Sequence, residues 1–308
     1  MKKTLLTAGI LAATSFAHAD VLTTIKPLGF IANAITDGVT ETQVLLPVSA
    51  SPHDYSLKPS DVEKLKSAEL VVWVGHGLES FLEKSVEKLP ESKVLELGEA
   101  PAIEEIIEAT HHEDHDHDHD HGHHQHAHGH DHHGHDHSHD WHIWLSSDAS
   151  KIAAEQIADR LTQLYPAKKA KIAENLAKFK TAVDTKTVQL KAQLEPVKGK
   201  GYYTFHEAYG YFESAYGLNS LGSFTINPTV APGAKTLAKI KEHIAEHKAV
   251  CLFAEPQFTP RVVESLSKGT QVGVGQLDPL GAKVKMSAEA YPQFLQGIAD
   301  EFTKCLTK

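Results

Sequence analysis

The chain has 308 residues, enough for one large or two medium domains, and is 41% hydrophobic and 23% charged, which suits a folded globular protein and excludes wholesale disorder. A net charge of −10 argues against a general nucleic-acid binder, and two cysteines are too few for a Cys-rich zinc ribbon or an iron–sulfur protein. The outlying number is 23 histidines, sixteen of them between His111 and His139.

The first nineteen residues read as an address. Lys2 and Lys3 precede an apolar run from Leu5 to Ala13, and Ala17-His18-Ala19 is a small-x-small cleavage site. The apolar run is far shorter than the roughly 20 residues of a membrane anchor, and no cysteine stands near the cleavage site for lipid attachment. The expected location is therefore the periplasm, as a soluble, exported chain.

From residue 20 the pattern alternates between strand-like and helix-like runs. Strands are expected at Val21–Ile25, Gln43–Pro47, Leu70–Gly75 and Lys93–Gly98, each a short apolar run bounded by Pro, Gly or a charge. Between them, Val62, Leu65 and Ala68 mark a helix over Ser60–Glu69, and Phe81, Leu82, Val86 and Leu89 another that ends at Pro90. Residues 111–140 hold the sixteen His and eight Asp or Glu, with no large apolar side chain. Such a tract cannot bury enough surface to pack, and its His at i and i+2 offers many interchangeable weak metal sites.

Ser147–Tyr165 reads as one helix, and Pro166 opens a longer one to Glu195 whose narrow apolar stripe (Ala173, Leu176, Val183, Leu190, Leu194) runs among lysines. About 30 residues at 1.5 Å each span roughly 45 Å, so a helix bridging two lobes is expected over an ordinary helix of one lobe. The second half repeats the plan. Strands fall at Gly201–Phe205, Ser220–Phe224, Ala249–Ala254 and Thr270–Gln276, and helices at Glu207–Tyr216, Gly233–His247, Pro260–Lys268 and Ser287–Leu306. Alternation of this kind builds α/β lobes, each a four-stranded, mainly parallel sheet covered by helices. The expected division is a leader at 1–19, a first lobe at 20–165, a linking helix at 166–195 and a second lobe at 196–308. Cys251 lies in a strand and Cys305 closes the last helix, so an oxidising compartment favours a disulfide between them, the alternative being two buried thiols.

Ligands of open α/β sheets bind beyond the carboxyl ends of the strands. Four metal-capable residues stand at such places: His53, His142, His206 and Asp278, two in each half. Imidazole suits zinc, with a carboxylate or water completing the set. Asp278 is the carboxylate candidate, the alternative being that it organises its own turn. His243 and His247 are spaced i,i+4 on a Lys- and Glu-rich surface helix and are read as solvated; His76, between two glycines, is a loop residue beside the cleft.

Taken together, Pro52-His53-Asp54-Tyr55-Ser56-Leu57-Lys58-Pro59-Ser60-Asp61, His142-Ile143-Trp144-Leu145-Ser146, Phe205-His206-Glu207-Ala208-Tyr209-Gly210-Tyr211-Phe212 and Leu277-Asp278-Pro279-Leu280-Gly281 resemble the ZnuA family. These are the periplasmic zinc-binding components of high-affinity zinc uptake ABC transporters, a branch of the metal-specific cluster of solute-binding proteins. The resemblance runs from Asp20 to Lys308. It implies two α/β lobes joined by a long rigid helix, a cleft site, a His-rich loop in the first lobe and a disulfide matching Cys251–Cys305. Similar proteins that take manganese usually carry a Glu where His206 stands, so the resemblance favours zinc. Some zinc-branch members place an acidic residue just before the first His, where this chain has Pro52. The expected cargo is Zn(II) and the expected partner a membrane permease, with the chain a monomer and not an enzyme. A zinc-dependent hydrolase and a periplasmic metal buffer are the competing classes.

Overall fold

Short apolar runs of the chain pair as two four-stranded parallel sheets of identical topology. β1 (Val21–Thr23), β2 (Thr42–Val44), β3 (Leu70–Trp73) and β4 (Val94–Glu96) form the first, in the order β2-β1-β3-β4. The second joins β5 (Gly201–His206), β6 (Ser220–Thr225), β7 (Ala249–Ala254) and β8 (Gly273–Gln276) in the order β6-β5-β7-β8. The computed structural model describes residues 20–109, 139–226, 228–259 and 261–307, so the leader and all but the end of the His-rich tract lie outside the described residues.

Strands β1, β3 and β5 are buried at every position, which is why they show no alternation of core-facing and solvent-facing residues. The strands are shorter than expected at Gln43–Pro47 and Thr270–Gln276. Leu45 and Leu46 donate to Thr23 and Thr24 carbonyls just past the ladder, and β8 begins only at Gly273. Two helices stand outside the expected elements. α1 (Lys26–Thr36) is almost wholly buried and carries Pro27 and Gly29 in its first turn, residues that read as breakers. α4 (Pro101–Ala109) follows β4 and leads toward the His-rich tract.

The remaining helices of the first half are α2 (Pro59–Ser67), the single-turn α3 (Glu83–Val86) and α5 (Ser147–Leu164), whose Ser146 side chain caps Ala149 N–H. The long helix α6 spans Lys169–Leu194, 26 residues or about 39 Å. Pro166 sits in a separate 3₁₀ turn before it, because Tyr165 has left helical geometry (φ −125°, ψ 63°). The second half adds α7 (Gly210–Tyr216), α8 (Ala234–Ala245), α9 (Arg261–Ser267) and α10 (Ala290–Leu306).

α6 lies between the two sheets in the chain and packs against both halves. It contacts α1 and α5 from the first and α10 from the second. Ile172, Phe179, Val183, Leu190 and Leu194 form its buried stripe, and Asn175 donates to the carbonyls of Ile35 and Asp37 (2.9 and 2.8 Å) at the end of α1. One hydrophobic core runs continuously through the first sheet, α5, α6 and α10 to β7. A smaller core, with Tyr203, Phe224, Ile240 and Leu252, fills the far side of the second sheet. Cys251 and Cys305 are disulfide-bonded, with Cα atoms 6.0 Å apart, stapling β7 to α10. The staple needs room on β8: a Cβ added at Gly275 would stand 2.6 Å from the Phe253 ring and 3.2 Å from Cys305 Cβ. Among the described residues no helix is long and apolar enough to cross a membrane.

Candidate metal centre

In a sheet ordered 2-1-3-4 the winding reverses between the first and third strands, and the crevice beyond their carboxyl ends is where ligands bind. In the second sheet those strands are β5 and β7. His206 is the last residue of β5, and Glu255 follows the last residue of β7. Topology alone thus brings an imidazole and a carboxylate together at the switch point.

The first half brings two more imidazoles to the same place. His53 lies on the loop after β2. That loop is tied to α2 by the buried Asp61, which accepts from Lys58 N (3.0 Å) and Tyr55 Oη (2.9 Å). His142 stands in Trp141-His142-Ile143-Trp144-Leu145, whose two indoles act as anchors. The Trp141 ring lies so close to Gly77 that a Cβ there would fall 1.9 Å from it. Trp144 Nε1 donates to the Pro279 carbonyl (2.8 Å), reaching into the second half. The Oη of the buried Tyr291 of α10 lies 2.9 Å from the Trp144 carbonyl and 2.6 Å from Ser150 Oγ. The histidine between these anchors has little freedom.

His53 Nε2 is 3.1 Å from His142 Nε2, which is 3.2 Å from His206 Nε2, and the ligand atoms of the three lie within 4.8 Å of one another. A zinc ion ~2.05 Å from each vertex of a tetrahedron would set neighbouring nitrogens ~3.3 Å apart. His142 and His206 are 5% and 3% exposed, whereas His53 is half-buried and forms the open side.

The opposite nitrogens explain the chemistry. His142 Nδ1 lies 2.7 Å from Asp140 Oδ1, and His206 Nδ1 lies 2.7 Å from Glu255 Oε1. A carboxylate is only an acceptor, so it holds the proton of a neutral imidazole on Nδ1 and leaves Nε2 bare. Two bare lone pairs facing each other at 3.2 Å repel, and a cation between them removes the repulsion. Asp140 Oδ1 also accepts from His142 N (2.9 Å), while Tyr211 of the second half donates to the Asp140 carbonyl (2.6 Å).

Asp278 is not in this cluster. Its Oδ1 accepts from Leu280 N (3.1 Å) and Gln257 Nε2 (3.0 Å), and its Oδ2 accepts from Ala282 N (2.6 Å). The carboxylate organises the Pro279–Gly281 turn, and it is Pro279 and Leu280 that line the site, with Ser51, Pro52, Trp144, Gln257 and Phe258. His243 is remote from the cluster and pairs with Tyr203 Oη (2.8 Å). His76 is an exposed loop residue whose Nδ1 lies 3.3 Å from Glu96 Oε1. Sequence reading missed Asp140 and Glu255. Asp140 is hidden as the last acid of the His-rich tract, and Glu255, one residue past an apolar strand, has the strand-end position that marked His206.

A family model described as "ZnuA: Zinc-uptake complex component A periplasmic" matches residues 21–305. The "High-affinity zinc uptake system protein ZnuA" of Haemophilus ducreyi is 74% identical over 308 residues, covering 100% of this chain and 99% of the relative. The proteins of the same name from Haemophilus influenzae and Yersinia pestis are 52% and 45% identical, over 100% and 99% of this chain and 99% and 98% of their own. Among solved structures, "Crystal structure of ZnuA" superposes with a TM-score of 0.74 at 24% identity, covering 93% of this chain and 98% of that one. The periplasmic zinc binding protein TroA from Treponema pallidum does so with a TM-score of 0.75 at 20% identity, over the same shares. These structural likenesses establish the shared fold.

Proposed function

Because this chain belongs to the ZnuA family of periplasmic zinc-uptake components, it is the zinc-binding component of a transporter and not an enzyme, and we propose that it holds Zn(II) on His53, His142 and His206. The observation that carries this ligand set is the convergence of three imidazoles, their ligand atoms within 4.8 Å of one another, with His142 Nε2 at tetrahedral spacing from the Nε2 atoms of both others. The part-buried Asp140 and the buried Glu255 hold His142 and His206 bare at Nε2. Two imidazoles come from the first half and one from the second, so the bound ion ties the halves together. A transporter permease can then distinguish loaded from unloaded protein by how firmly they are joined. The ion enters and leaves past His53, the half-buried member.

The fourth position falls to a water, since the Asp278 carboxylate is taken by its own turn. One chain supplies all three imidazoles, which supports action as a monomer. The division into a leader at 1–19, a first lobe at 20–165, a linking helix at 166–195 and a second lobe at 196–308 belongs to the same proposal. It is supported by one complete sheet on each side of α6. The test is titration of zinc against a competing chelator. His53→Ala, His142→Ala and His206→Ala are each expected to lose affinity by orders of magnitude, and His243→Ala to lose none. Wild-type affinity in any of the first three removes that residue from the cage.

A further inference from the structure

Glu255 is a buried acid that lines the cleft site. Its side chain is 0% exposed, and among the described residues its ion-pair partner is His206, with no Lys or Arg. Its second oxygen, Oε2, has no donor in good hydrogen-bond geometry, the phenol of Tyr209 being the polar group that stands against the carboxylate. A carboxylate withdrawn from water is costly unless positive charge compensates it. A neutral imidazole supplies a hydrogen bond but no charge. A divalent cation on the far nitrogen of the same ring supplies both, because it polarises the Nδ1–H that faces Glu255. Tyr209 lies against this carboxylate as well: burial, and then the Glu255 charge, hold its phenolic proton well beyond the usual range.

The same geometry answers a question of charge. Zinc on three neutral imidazoles keeps its full +2, and the one carboxylate expected to offset it, that of Asp278, serves a turn instead. We infer that Glu255 is the positioning and charge-balancing residue of the cleft site: it holds His206 in the Nδ1–H form and supplies, through the ring, the negative charge that a directly ligating carboxylate would bring. Asp140 has the corresponding place on His142, but it also accepts from the His142 backbone, so its removal mixes two effects. Glu255 separates them. The inference rests on the zinc reading of the three histidines.

Two variants and two readouts test it. Glu255→Gln keeps size and an accepting oxygen but removes the charge, while Glu255→Leu removes both. In metal-free protein, 15N NMR of the imidazoles should show His206 with its proton on Nδ1, and Glu255→Leu should lose that preference. Chelator competition should show zinc binding weakened roughly 10–100-fold in Glu255→Gln, the range typical of groups supporting a metal ligand, with a native near-UV circular dichroism spectrum. Glu255→Gln binding zinc as tightly as the parent would overturn the charge-balancing role. A His206 proton on Nε2 in the parent would overturn the positioning role. Failure of the zinc reading would look different, as a parent protein whose affinity does not change on His206→Ala.

Discussion

Reducing the Cys251–Cys305 disulfide should destabilise the protein strongly while leaving the metal site nearly untouched. The bond closes a loop with a sequence separation of 54. In the chain-entropy picture, a loop of that size removes about 14 cal/mol/K from the unfolded chain, or ~4 kcal/mol at 25 °C as an upper figure. The folded state has little reason to move. β7 keeps its ladders to β5 and β8 on both sides, pairing Cys251 with Tyr202 and with Gly273. α10 keeps Tyr291, Phe294, Leu295, Ile298 and Phe302 in the core. The assay is urea unfolding of zinc-free protein, oxidised against reduced with a phosphine, followed by circular dichroism. A second arm is chelator competition for zinc in both states. The expected result is a loss of up to ~4 kcal/mol with zinc affinity changed less than about threefold. Equal unfolding midpoints would refute the entropic account. A tenfold fall in zinc affinity would mean instead that the staple, and not the sheet, holds Glu255 at the end of β7.

Two further perturbations follow from carboxyls that accept backbone hydrogen bonds, one buried and one part-buried. Glu79 is wholly buried beside β3, where its Oε2 accepts from Val74 N (2.7 Å) and Gly75 N (3.3 Å), and desolvation pushes its pKa up to about 7. Between the ordinary 4.5 and 7 the unfolded chain releases this proton while the folded chain keeps it, so stability falls as pH rises through that window and levels off above it. The fall is about 3 kcal/mol. Glu79→Gln should flatten it, gaining stability over the parent at pH 8 but not at pH 4.5 in urea unfolding, and an unchanged pH slope would count against the assignment. For Asp278→Asn, the new amide cannot accept from Leu280, Ala282 and Gln257 together, so the turn should lose about 1–3 kcal/mol in the same measurement. Its zinc affinity should change only several-fold, and a loss as deep as that of His206→Ala would put Asp278 on the ion.

Much of this protein is determined by its sequence alone. Parallel strands buried on both faces must be continuous apolar runs, so β3, β5 and β7 announce themselves and the two α/β halves follow. Ligand residues of such sheets sit just past strand ends, so His53 and His206 could be picked out by position; His142, grouped with them in the sequence, follows no strand and stands instead between α4 and a 3₁₀ turn. α1 was not anticipated, because its Pro27 and Gly29 near the start read as breakers while its apolar residues carry on directly from the strand before it. What only the tertiary structure decided is which way the acids face. Asp278 and Glu255 are both carboxylates just past a strand end, alike to any reading of residue type and spacing. One turns back onto the amides of its own loop, and the other meets an imidazole 49 residues away. That choice is made by the side-chain direction at the end of each strand and by the partner that packing brings within 3 Å. Neither is a property of the local sequence, because a hydrogen bond between residues this far apart in the chain exists only once β5 and β7 have paired side by side in the sheet.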